Sequence, residues 1–329
     1  MRMKVVVTGA GGFIGSHLCR YVKNKGYWVR AVDIKWDNYM TGYADQFVTR
    51  DLRNAKYSFE AVKGMDRVYN LAANMGGIGY ITAVKAEVMR DNVLINVNML
   101  EAARKHKVDK YFFSSSACVY PTYKQESPEV VPLKEDHAYP ADPDNEYGWE
   151  KLFTERLCMD YAEDFGLEIR TARFHNIYGP EGTYKGGKEK APAALCRKVA
   201  EAPNPGKITI WGDGKQTRSF CYIDDCIRGI DMLVESNYAN PLNIGSDRLV
   251  TIDELADIII EISGKRIRKV YDDTKPQGVR GRNADLTVVK RVLGWEPKVS
   301  LEEGLAKTYN WIAMQLRQKS RFKKHEESV

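Results

Sequence analysis

The sequence predicts an α/β fold with a doubly wound parallel sheet and a smaller α/β lobe attached to it. Strands and helices alternate through the first half of the chain, a glycine cluster follows the first strand, and 329 residues exceed one ordinary core. Strands that alternate with helices form right-handed βαβ units, whose strands run parallel. We predict strands at 4–8, 28–33, 67–72, 110–114 and 168–174, and helices at 13–25, 84–105 and 146–165.

The predicted strands are short runs rich in β-branched residues, and the predicted helices are amphipathic. After Asn176 this pattern gives way to a loop rich in glycine and lysine at 179–190, and the stretch 218–244 returns to it. We therefore expect two lobes that interleave in sequence. One comprises residues 1–176 plus about 218–244, and the other comprises 177–217 plus about 245–329.

Composition narrows the class of protein. Hydrophobic residues at 43% and charged residues at 29% are typical of soluble globular proteins, and no apolar run approaches the roughly 20 residues that cross a bilayer. The six cysteines are scattered, which indicates free thiols in a cytoplasmic protein. The net charge of +6 lies partly in the stretch 319–324, which we interpret as a solvated terminal face. We expect no membrane or nucleic-acid partner and no metal site.

The glycine cluster predicts a dinucleotide site. Glycines occupy the first, fourth and seventh positions of Gly9–Gly15, between a strand and a helix, where the backbone can approach a pyrophosphate at the helix N-terminus. Asp33 ends the second strand, and a carboxylate there accepts hydrogen bonds from a ribose diol and repels a 2′-phosphate. This favours NAD over NADP and a Rossmann-type fold for the first lobe. The predicted cofactor contacts are Gly9, Gly12, Phe13, Ile14, Gly15 and Asp33.

A tyrosine and a lysine form the predicted redox pair. Tyr147 and Lys151 are four residues apart, hence on one face of a helix. A lysine cation beside the phenol favours the tyrosinate, so we expect the pKa of Tyr147 to fall from about 10 toward neutrality. Tyr147 can then take a proton from a substrate hydroxyl as hydride leaves, while Lys151 holds the cofactor ribose. Ser116, at the end of a serine run, is expected to hydrogen-bond the same substrate oxygen.

Together these features resemble the extended short-chain dehydrogenase/reductase family. The motifs Asp51-Leu52-Arg53 and Asn70-Leu71-Ala72-Ala73 follow the glycine cluster in the order typical of that family. The resemblance implies that Asp51 and Leu52 lie on the adenine side of the cofactor. It also implies that Tyr147 and Lys151 contact the cofactor as well as the substrate.

Cys118 and Lys190 indicate chemistry beyond dehydrogenation. A ketone formed on a sugar ring makes the protons on the adjacent carbons acidic. A base on one face and an acid on the other could then invert those centres. A thiol with cations near it suits the base, and a lysine suits the acid.

Several longer blocks resemble a more specific family, the GDP-mannose 3,5-epimerases. These blocks are Ser116–Pro121, Arg173–Pro180, Gly186–Ala194, Trp211–Gly214, Gln216–Phe220 and Gly278–Asn283. The resemblance implies oxidation at sugar carbon 4 with Tyr147 as base, proton exchange at carbons 5 and 3 by Cys118 and Lys190, and return of the hydride. It implies that the nucleotide sugar is bound by Gly76, Ser116, Ala117, Cys118, Asn176, Glu189, Lys190, Ala191, Lys198, Gln216, Arg218 and Arg282.

Within this set, Lys198 and Arg282 are expected to clamp the diphosphate, since cationic donors bind phosphate oxygens strongly. The sequence departs from the family pattern at Asn74, where an Asp is expected. Family habit further implies a homodimer that pairs the long helices near 84–105 and 146–165.

Four alternatives remain open. A 4,6-dehydratase needs an acidic residue after the active-site serine, where Ala117 and Cys118 stand. A 4-epimerase needs no Cys/Lys acid–base pair. An enzyme similar to GDP-fucose synthase uses a cysteine but consumes NADPH, which Asp33 disfavours. A non-catalytic NAD-binding module is the last alternative, and the intact catalytic residues argue against it.

Overall fold

The computed structural model describes residues 2–36 and 43–326. The strands of this part are β1 (Lys4–Thr8), β2 (Trp28–Asp33), β3 (Gln46–Thr49), β4 (Arg67–Asn70), β5 (Lys110–Ser116), β6 (Ile169–Phe174), β7 (Ile177–Tyr178), β8 (Gly206–Trp211), β9 (Thr217–Ser219), β10 (Cys221–Tyr222), β11 (Leu242–Ile244), β12 (Leu249–Thr251), β13 (Ile267–Asp272) and β14 (Gly281–Arg282). The helices are α1 (Phe13–Asn24), α2 (Ala55–Val62), α3 (Ile78–Ala83), α4 (Lys85–His106), α5 (Glu146–Phe165), α6 (Ala191–Glu201), α7 (Ile223–Glu235), α8 (Ile252–Ser263), α9 (Thr287–Leu293) and α10 (Leu301–Glu326). Short 3-10 helices lie at Ala117–Val119, Thr122–Lys124 and Glu135–Ala138.

Seven strands form one parallel sheet in the order β11-β6-β5-β4-β1-β2-β3. From β1 the chain moves outward to β2 and β3, then returns to β4 on the other side of β1. Ligands of open α/β sheets bind at such a reversal, beyond the carboxyl ends of the strands. The predicted fold class is therefore confirmed, and the reversal locates the crevice beside β1 and β4.

Burial on both faces of the sheet explains the apolar character of β1. Val5, Val6 and Val7 are completely buried. Val5 and Val7 pack into the core that includes Leu18 of α1, whereas Val6 packs on the opposite face with Leu100 of α4. Helices cover both faces, and a strand buried on both sides reads as a continuous hydrophobic run.

The structure corrects one strand that bears on the site. The sequence predicts that the strand from residue 110 ends at 114, but β5 continues to Ser116. Ser115 and Ser116 pair with Arg173 and Phe174 of β6. A run of serines has low strand propensity, and pairing with β6 overrides it. This extension carries Ser116 to the carboxyl end of the sheet.

Shorter pairings organise the later part of the chain. β13 pairs with β8, and β9 lies between β12 and β14. α10 packs on α6 and α8. The basic run at residues 321–324 lies within α10. The structure describes the backbone of this run but not its side chains. In the part of the chain that the structure describes, no helix is both long enough and apolar enough to cross a membrane.

Candidate active site

The glycine cluster lies at the carboxyl end of β1, beside the reversal of strand order. Gly9 has a φ of 64°, in the left-handed region that favours glycine. A Cβ on Gly15 would lie 2.1 Å from the Gly9 carbonyl oxygen, so only glycine lets α1 approach the turn this closely. Gly12 is the N-cap of α1, and the first N–H groups of a helix have no partner within it. These groups, with Phe13 and Ile14 in the first turn, fit the pyrophosphate of a dinucleotide.

Asp33, at the end of β2, is hydrogen-bonded to the turn formed by Gly9–Gly15, which we call the glycine cradle. Its Oδ2 accepts a hydrogen bond from the Gly11 N–H at 2.8 Å. Its Oδ1 accepts from the N–H groups of Ile34 at 2.7 Å and Lys35 at 3.2 Å. Burial raises the pKa of the Asp33 carboxyl, and the backbone donors oppose that shift. The carboxylate has a fixed orientation next to the cradle, as ribose recognition requires.

The predicted adenine contacts follow β3. Leu52 is buried in the core between the sheet and α4. The Asp51 carboxylate accepts hydrogen bonds from Nε of Arg53 at 2.9 Å and from its Nη2 at 2.6 Å, and this pairing lowers the pKa of Asp51. Arg53 also contacts Asp91 of α4 at 3.0 Å. Asp51 is thus ionised and oriented, and its contact with an adenine stays a prediction.

The structure brings Tyr147, Lys151 and Ser116 together. Tyr147 lies in the first turn of α5 and is 6% exposed. The Ser116 side chain lies close enough to the Tyr147 hydroxyl to act against the rise in its pKa. The Lys151 ammonium lies 5.5 Å from the centroid of the Tyr147 ring. A Cβ on Gly148 would lie 2.2 Å from the Cys118 carbonyl oxygen, so glycine here lets α5 press against the segment that carries Cys118.

The prediction that the pKa of Tyr147 is lowered is wrong, because the protein groups around the phenol raise it. Burial raises the pKa of the phenol well above 10, and the negative charges of Glu150 and Cys118 add to the rise. Glu150 Oε1 lies 3.7 Å from the Lys151 ammonium, and both side chains are almost completely buried. The Glu150 carboxylate also accepts hydrogen bonds from Asn92 at 2.9 Å and Asn96 at 3.3 Å. Glu150 therefore offsets the cation that was expected to favour the tyrosinate.

Cys118 lies in the 3-10 turn that directly follows β5. Its N–H donates to Ser116 Oγ at 3.2 Å, which caps the turn. Arg282 of β14 donates from Nη1 to the Cys118 sulfur at 3.3 Å. Cys118 is partly exposed, whereas the other five cysteines are buried. The structure thus places the predicted thiol beside the Ser116–Tyr147 pair and gives it a cationic neighbour.

Lys190 reaches the same place from the glycine-rich loop. It is the N-cap of α6 and precedes Ala191, the first residue of that helix. Burial lowers the pKa of the Lys190 ammonium, the negative charge of Cys118 raises it, and Arg282 lowers it further. The Lys190 side chain is partly exposed, so a substrate can reach it.

The glycine-rich loop is packed against the segment that contains Gly76. The Gly77 N–H donates to the Lys188 carbonyl oxygen at 3.1 Å. A Cβ on Gly77 would lie 2.5 Å from the Glu189 carbonyl oxygen. Asn74, the departure from the family pattern, lies nearby and accepts hydrogen bonds from Tyr80 at 2.8 Å and from the Lys188 ammonium at 3.5 Å. These contacts fix the distance between the loop and the sheet.

The remaining predicted sugar-nucleotide contacts are mostly engaged with the protein. Asn176 has a φ of 44° and donates to the Ser219 carbonyl oxygen at 2.9 Å. Glu189 accepts hydrogen bonds from the Gly187 N–H at 2.7 Å and from Arg197 at 3.2 Å. Gln216 donates to the Trp211 carbonyl oxygen, and its own buried Oε1 lacks a partner among the described residues. That oxygen is available to a ligand donor.

The two residues expected to clamp the diphosphate, Lys198 and Arg282, have different neighbours. The Lys198 ammonium donates to the Thr209 carbonyl oxygen at 2.6 Å, and burial lowers its pKa. Arg218 donates to the Val279 carbonyl oxygen at 2.7 Å, and burial together with repulsion from Arg282 lowers its pKa. Arg282 thus lies with Arg218 and Cys118, whereas Lys198 has a different set of neighbours.

Sequence reasoning missed four polar residues that support the site. Glu150 lies beside the Lys151 ammonium, and Asn92 donates to Glu150. Gln125 and Asp144 contact Arg282. Glu150 directly precedes Lys151, which was the available signal for its proximity. Gln125 had no signal, because its partner is 157 residues away in sequence.

A parallel sheet with a glycine cradle at its reversal, and a tyrosine–lysine pair beside it, define a dinucleotide-dependent enzyme of the Rossmann class. The model of the NAD dependent epimerase/dehydratase family matches residues 5–245. The chain belongs to this family, and the resemblance inferred from its motifs is confirmed.

Relatives and solved structures agree with this assignment. The chain is 46% identical to a GDP-mannose 3,5-epimerase of Arabidopsis thaliana over 316 residues, which cover 95% of the chain and 83% of the relative. A UDP-glucose 4-epimerase of Thermotoga maritima, solved with UDP-glucose, superposes with a TM-score of 0.87 at 29% identity, over 95% of this chain and 100% of that one. A UDP-glucuronic acid 4-epimerase of Bacillus cereus, solved with UDP-glucuronic acid and NAD, gives a TM-score of 0.82 at 30% identity, with the same coverage.

Proposed function

We propose that the protein is an NAD-dependent epimerase that inverts carbons 3 and 5 of GDP-mannose through a transient 4-keto sugar. One observation carries the proposal: Cys118 is hydrogen-bonded to Ser116 and lies near both Tyr147 and Lys190. A 4-epimerase needs only the first pair. A second acid–base pair beside the first suits an enzyme that moves protons on carbons next to a ketone. Similarity to the Arabidopsis enzyme over nearly the whole chain supports the same substrate.

Each residue has a role that follows from its surroundings. The glycine turn and Asp33 would hold NAD, which would supply the hydride acceptor for carbon 4 and, in its reduced form, the hydride donor. Tyr147 removes the proton of the carbon-4 hydroxyl, and Ser116, whose side chain lies near the Tyr147 hydroxyl, donates a hydrogen bond to the same oxygen. Cys118 and Lys190 exchange protons at carbons 5 and 3, which the ketone makes acidic. Lys190 suits this exchange because burial lowers the pKa of its ammonium, which makes the ammonium a better proton donor.

Ligand contacts in the proposal follow the predicted residues. The cofactor is held by Gly9, Gly12, Phe13, Ile14, Gly15, Asp33, Asp51, Leu52, Tyr147 and Lys151. The nucleotide sugar is held by Gly76, Ser116, Ala117, Cys118, Asn176, Glu189, Lys190, Ala191, Lys198, Gln216, Arg218 and Arg282. The lobe division at 176, 218 and 245 is part of the same proposal, and the pairing of β11 with β6 supports it.

The activity is tested by incubating the full chain with GDP-mannose in heavy water, without added NADH. We expect deuterium at carbons 3 and 5, because both positions exchange through the 4-keto sugar, and no net consumption of cofactor. Mass spectrometry and NMR of the recovered sugar locate the label. Label at neither carbon contradicts the epimerase proposal. Inversion at carbon 4 alone identifies a 4-epimerase, and dependence on stoichiometric NADPH identifies an epimerase-reductase similar to GDP-fucose synthase.

We further propose a homodimer formed by the exposed faces of α4 and α5. Large apolar side chains remain exposed on both helices, among them Leu94 at 41%, Trp149 at 43% and Phe153 at 47%. α4 and α5 pack side by side, so their outer faces form one surface. An apolar surface of this kind on a soluble protein marks a contact site, and a second copy of the chain satisfies it symmetrically.

A charge placed in this surface tests the dimer. We expect Phe153→Lys to produce a monomer, because an ammonium buried in an apolar contact is strongly unfavourable. Sedimentation equilibrium of the variant and the unmodified chain gives the mass of each. Phe47→Lys is the matched control, since Phe47 is 44% exposed on β3 at the edge of the sheet. A monomeric unmodified chain, or a dimeric Phe153→Lys variant, contradicts the proposal.

We also propose a cytoplasmic location. All six cysteines are free thiols, which suits a reducing compartment.

A further inference from the structure

We propose that Arg282 holds the Cys118 sulfur as a thiolate, and that Gln125 and Asp144 are positioning residues that aim its guanidinium. This gives Arg282 a role at the sulfur in addition to the contact with the nucleotide sugar that the resemblance implies. The inference deepens the proposed function and rests on it, because it concerns the group that exchanges the proton at the sugar carbon.

The surroundings of the Cys118 sulfur are partly apolar, so a thiolate there requires a stabilising partner. Cys118 is held at the carboxyl end of β5 by its N–H bond to Ser116, and it packs against the apolar cluster of Ile81, Val88 and Tyr147. Partial burial among such groups disfavours an anion. The Arg282 Nη1 at 3.3 Å offers the sulfur a charged donor, and a thiolate accepts such a bond much better than a thiol does. The guanidinium thus offsets the cost of desolvating the anion.

Three contacts fix the orientation of Arg282, which is 7% exposed. While Nη1 meets the sulfur, Nε donates to Gln125 Oε1 at 2.5 Å, and Nη2 lies 3.5 Å from Asp144 Oδ1. Each nitrogen of the planar group has its own partner, so the side chain has little freedom to turn elsewhere.

Gln125 is itself locked. It is completely buried, and its Nε2 donates to the carbonyl oxygens of Tyr120 at 3.0 Å and Pro121 at 3.1 Å. These two bonds leave its Oε1 directed at Arg282. Its backbone carbonyl oxygen accepts from the N–H groups of Arg280 at 2.9 Å and Gly281 at 3.1 Å, which ties this loop to β14. The two segments that carry Cys118 and Arg282 are therefore joined through Gln125.

The charges around the sulfur support the assignment. Burial lowers the pKa of Arg282, but Cys118 and Asp144 raise it by more, so the guanidinium stays charged. The other charged or titratable groups that act on Cys118 are Lys190, Arg218 and Tyr147. Arg282 lowers the pKa of Lys190 as it attracts the sulfur anion. The negative charge of Cys118 acts on Lys190 in the opposite direction and more strongly, which favours the protonated ammonium and gives the site one base and one acid.

Alkylation of Cys118 tests this directly, because it is the partly exposed cysteine and the other five are buried. The rate of modification by iodoacetamide is measured against pH on the purified full chain with its NAD, and the modified residue is identified by mass spectrometry. For Arg282→Gln we expect the pH of half-maximal rate to rise by about one unit and the rate at neutral pH to fall about tenfold. Asp144→Asn should shift the midpoint in the same direction by less.

Arg280→Gln is the matched control. Arg280 lies two residues from Arg282 but pairs with Asp213 at 3.0 Å, so its loss should leave the midpoint unchanged. Equal midpoints in the unmodified chain and in both the Arg282→Gln and Asp144→Asn variants overturn the inference. If Arg282→Gln unfolds, the buried cysteines also become modified, and the Asp144→Asn shift then decides. The alkylation assay needs no sugar, so its outcome does not depend on the deuterium-exchange assay. Failure of deuterium exchange in the unmodified chain overturns the proposed function, whereas equal alkylation midpoints overturn only the role of Arg282.

Discussion

Replacing Tyr147 with Phe is expected to lower deuterium incorporation at both sugar carbons by about 10²- to 10⁴-fold. The ring and its packing remain, but the hydroxyl that lies near Ser116 is lost. Without a base at the carbon-4 hydroxyl the ketone does not form, and the adjacent protons keep their ordinary low acidity. The measurement is the rate of label entry from heavy water with GDP-mannose.

The pH dependence of the same rate gives a second sign of this role. Burial raises the pKa of Tyr147 well above 10, so the hydroxyl is protonated at neutral pH. The base form becomes more abundant as pH rises, and the rate should increase with pH through the neutral range. Tyr123→Phe is the control, because Tyr123 is exposed and its hydroxyl donates only to the Pro140 carbonyl oxygen among the described residues. Normal exchange by Tyr147→Phe would show that another group takes the proton.

Cys118→Ala and Lys190→Ala are expected to separate oxidation from epimerisation. Each should reduce label entry by about 10²- to 10⁴-fold, since each removes a proton carrier at the acidified carbons. Tyr147, Ser116 and Lys151 remain in place, so reduction of the bound cofactor on addition of GDP-mannose should persist. Nicotinamide absorbance follows the first step, and isotope content follows the second.

Controls for this pair come from neighbouring residues. Lys185→Ala removes a lysine from the exposed part of the same loop and should leave both steps intact. Cys196→Ala removes a buried thiol on α6 and should do the same. Loss of cofactor reduction in Cys118→Ala or Lys190→Ala, together with loss of exchange, would mean that these residues support binding or folding instead of proton transfer.

Much of the cofactor lobe was predictable because its signals are local. The β-branched run of β1, the glycines at its end and Asp33 at the end of β2 lie within one βαβ unit. The bounds of α5, Glu146–Phe165, agree with the sequence prediction, because Asn145 caps the helix through the Gly148 N–H and Gly166 ends it in the left-handed conformation. Caps and glycines act on their nearest neighbours, so their effect is visible in the sequence.

The charge balance around Tyr147 was not predictable. The four-residue spacing put Lys151 near Tyr147 and suggested a lowered pKa. The spacing says nothing of burial, nor of Asn92 and Asn96 on α4, which hold Glu150 against the lysine. Desolvation depends on everything that packs around a group, and that is decided by the tertiary structure.

The sequence by itself determined the class of fold, the dinucleotide site and the residue types available for proton transfer, because strand and helix periodicity and glycine turns are properties of short segments. Only the tertiary structure decided which cation lies beside which acid–base group. Arg282 lies 164 residues from Cys118 and reaches its sulfur because Gln125 ties β14 to the turn after β5. Such a contact depends on how distant segments pack against each other, and no local pattern encodes it.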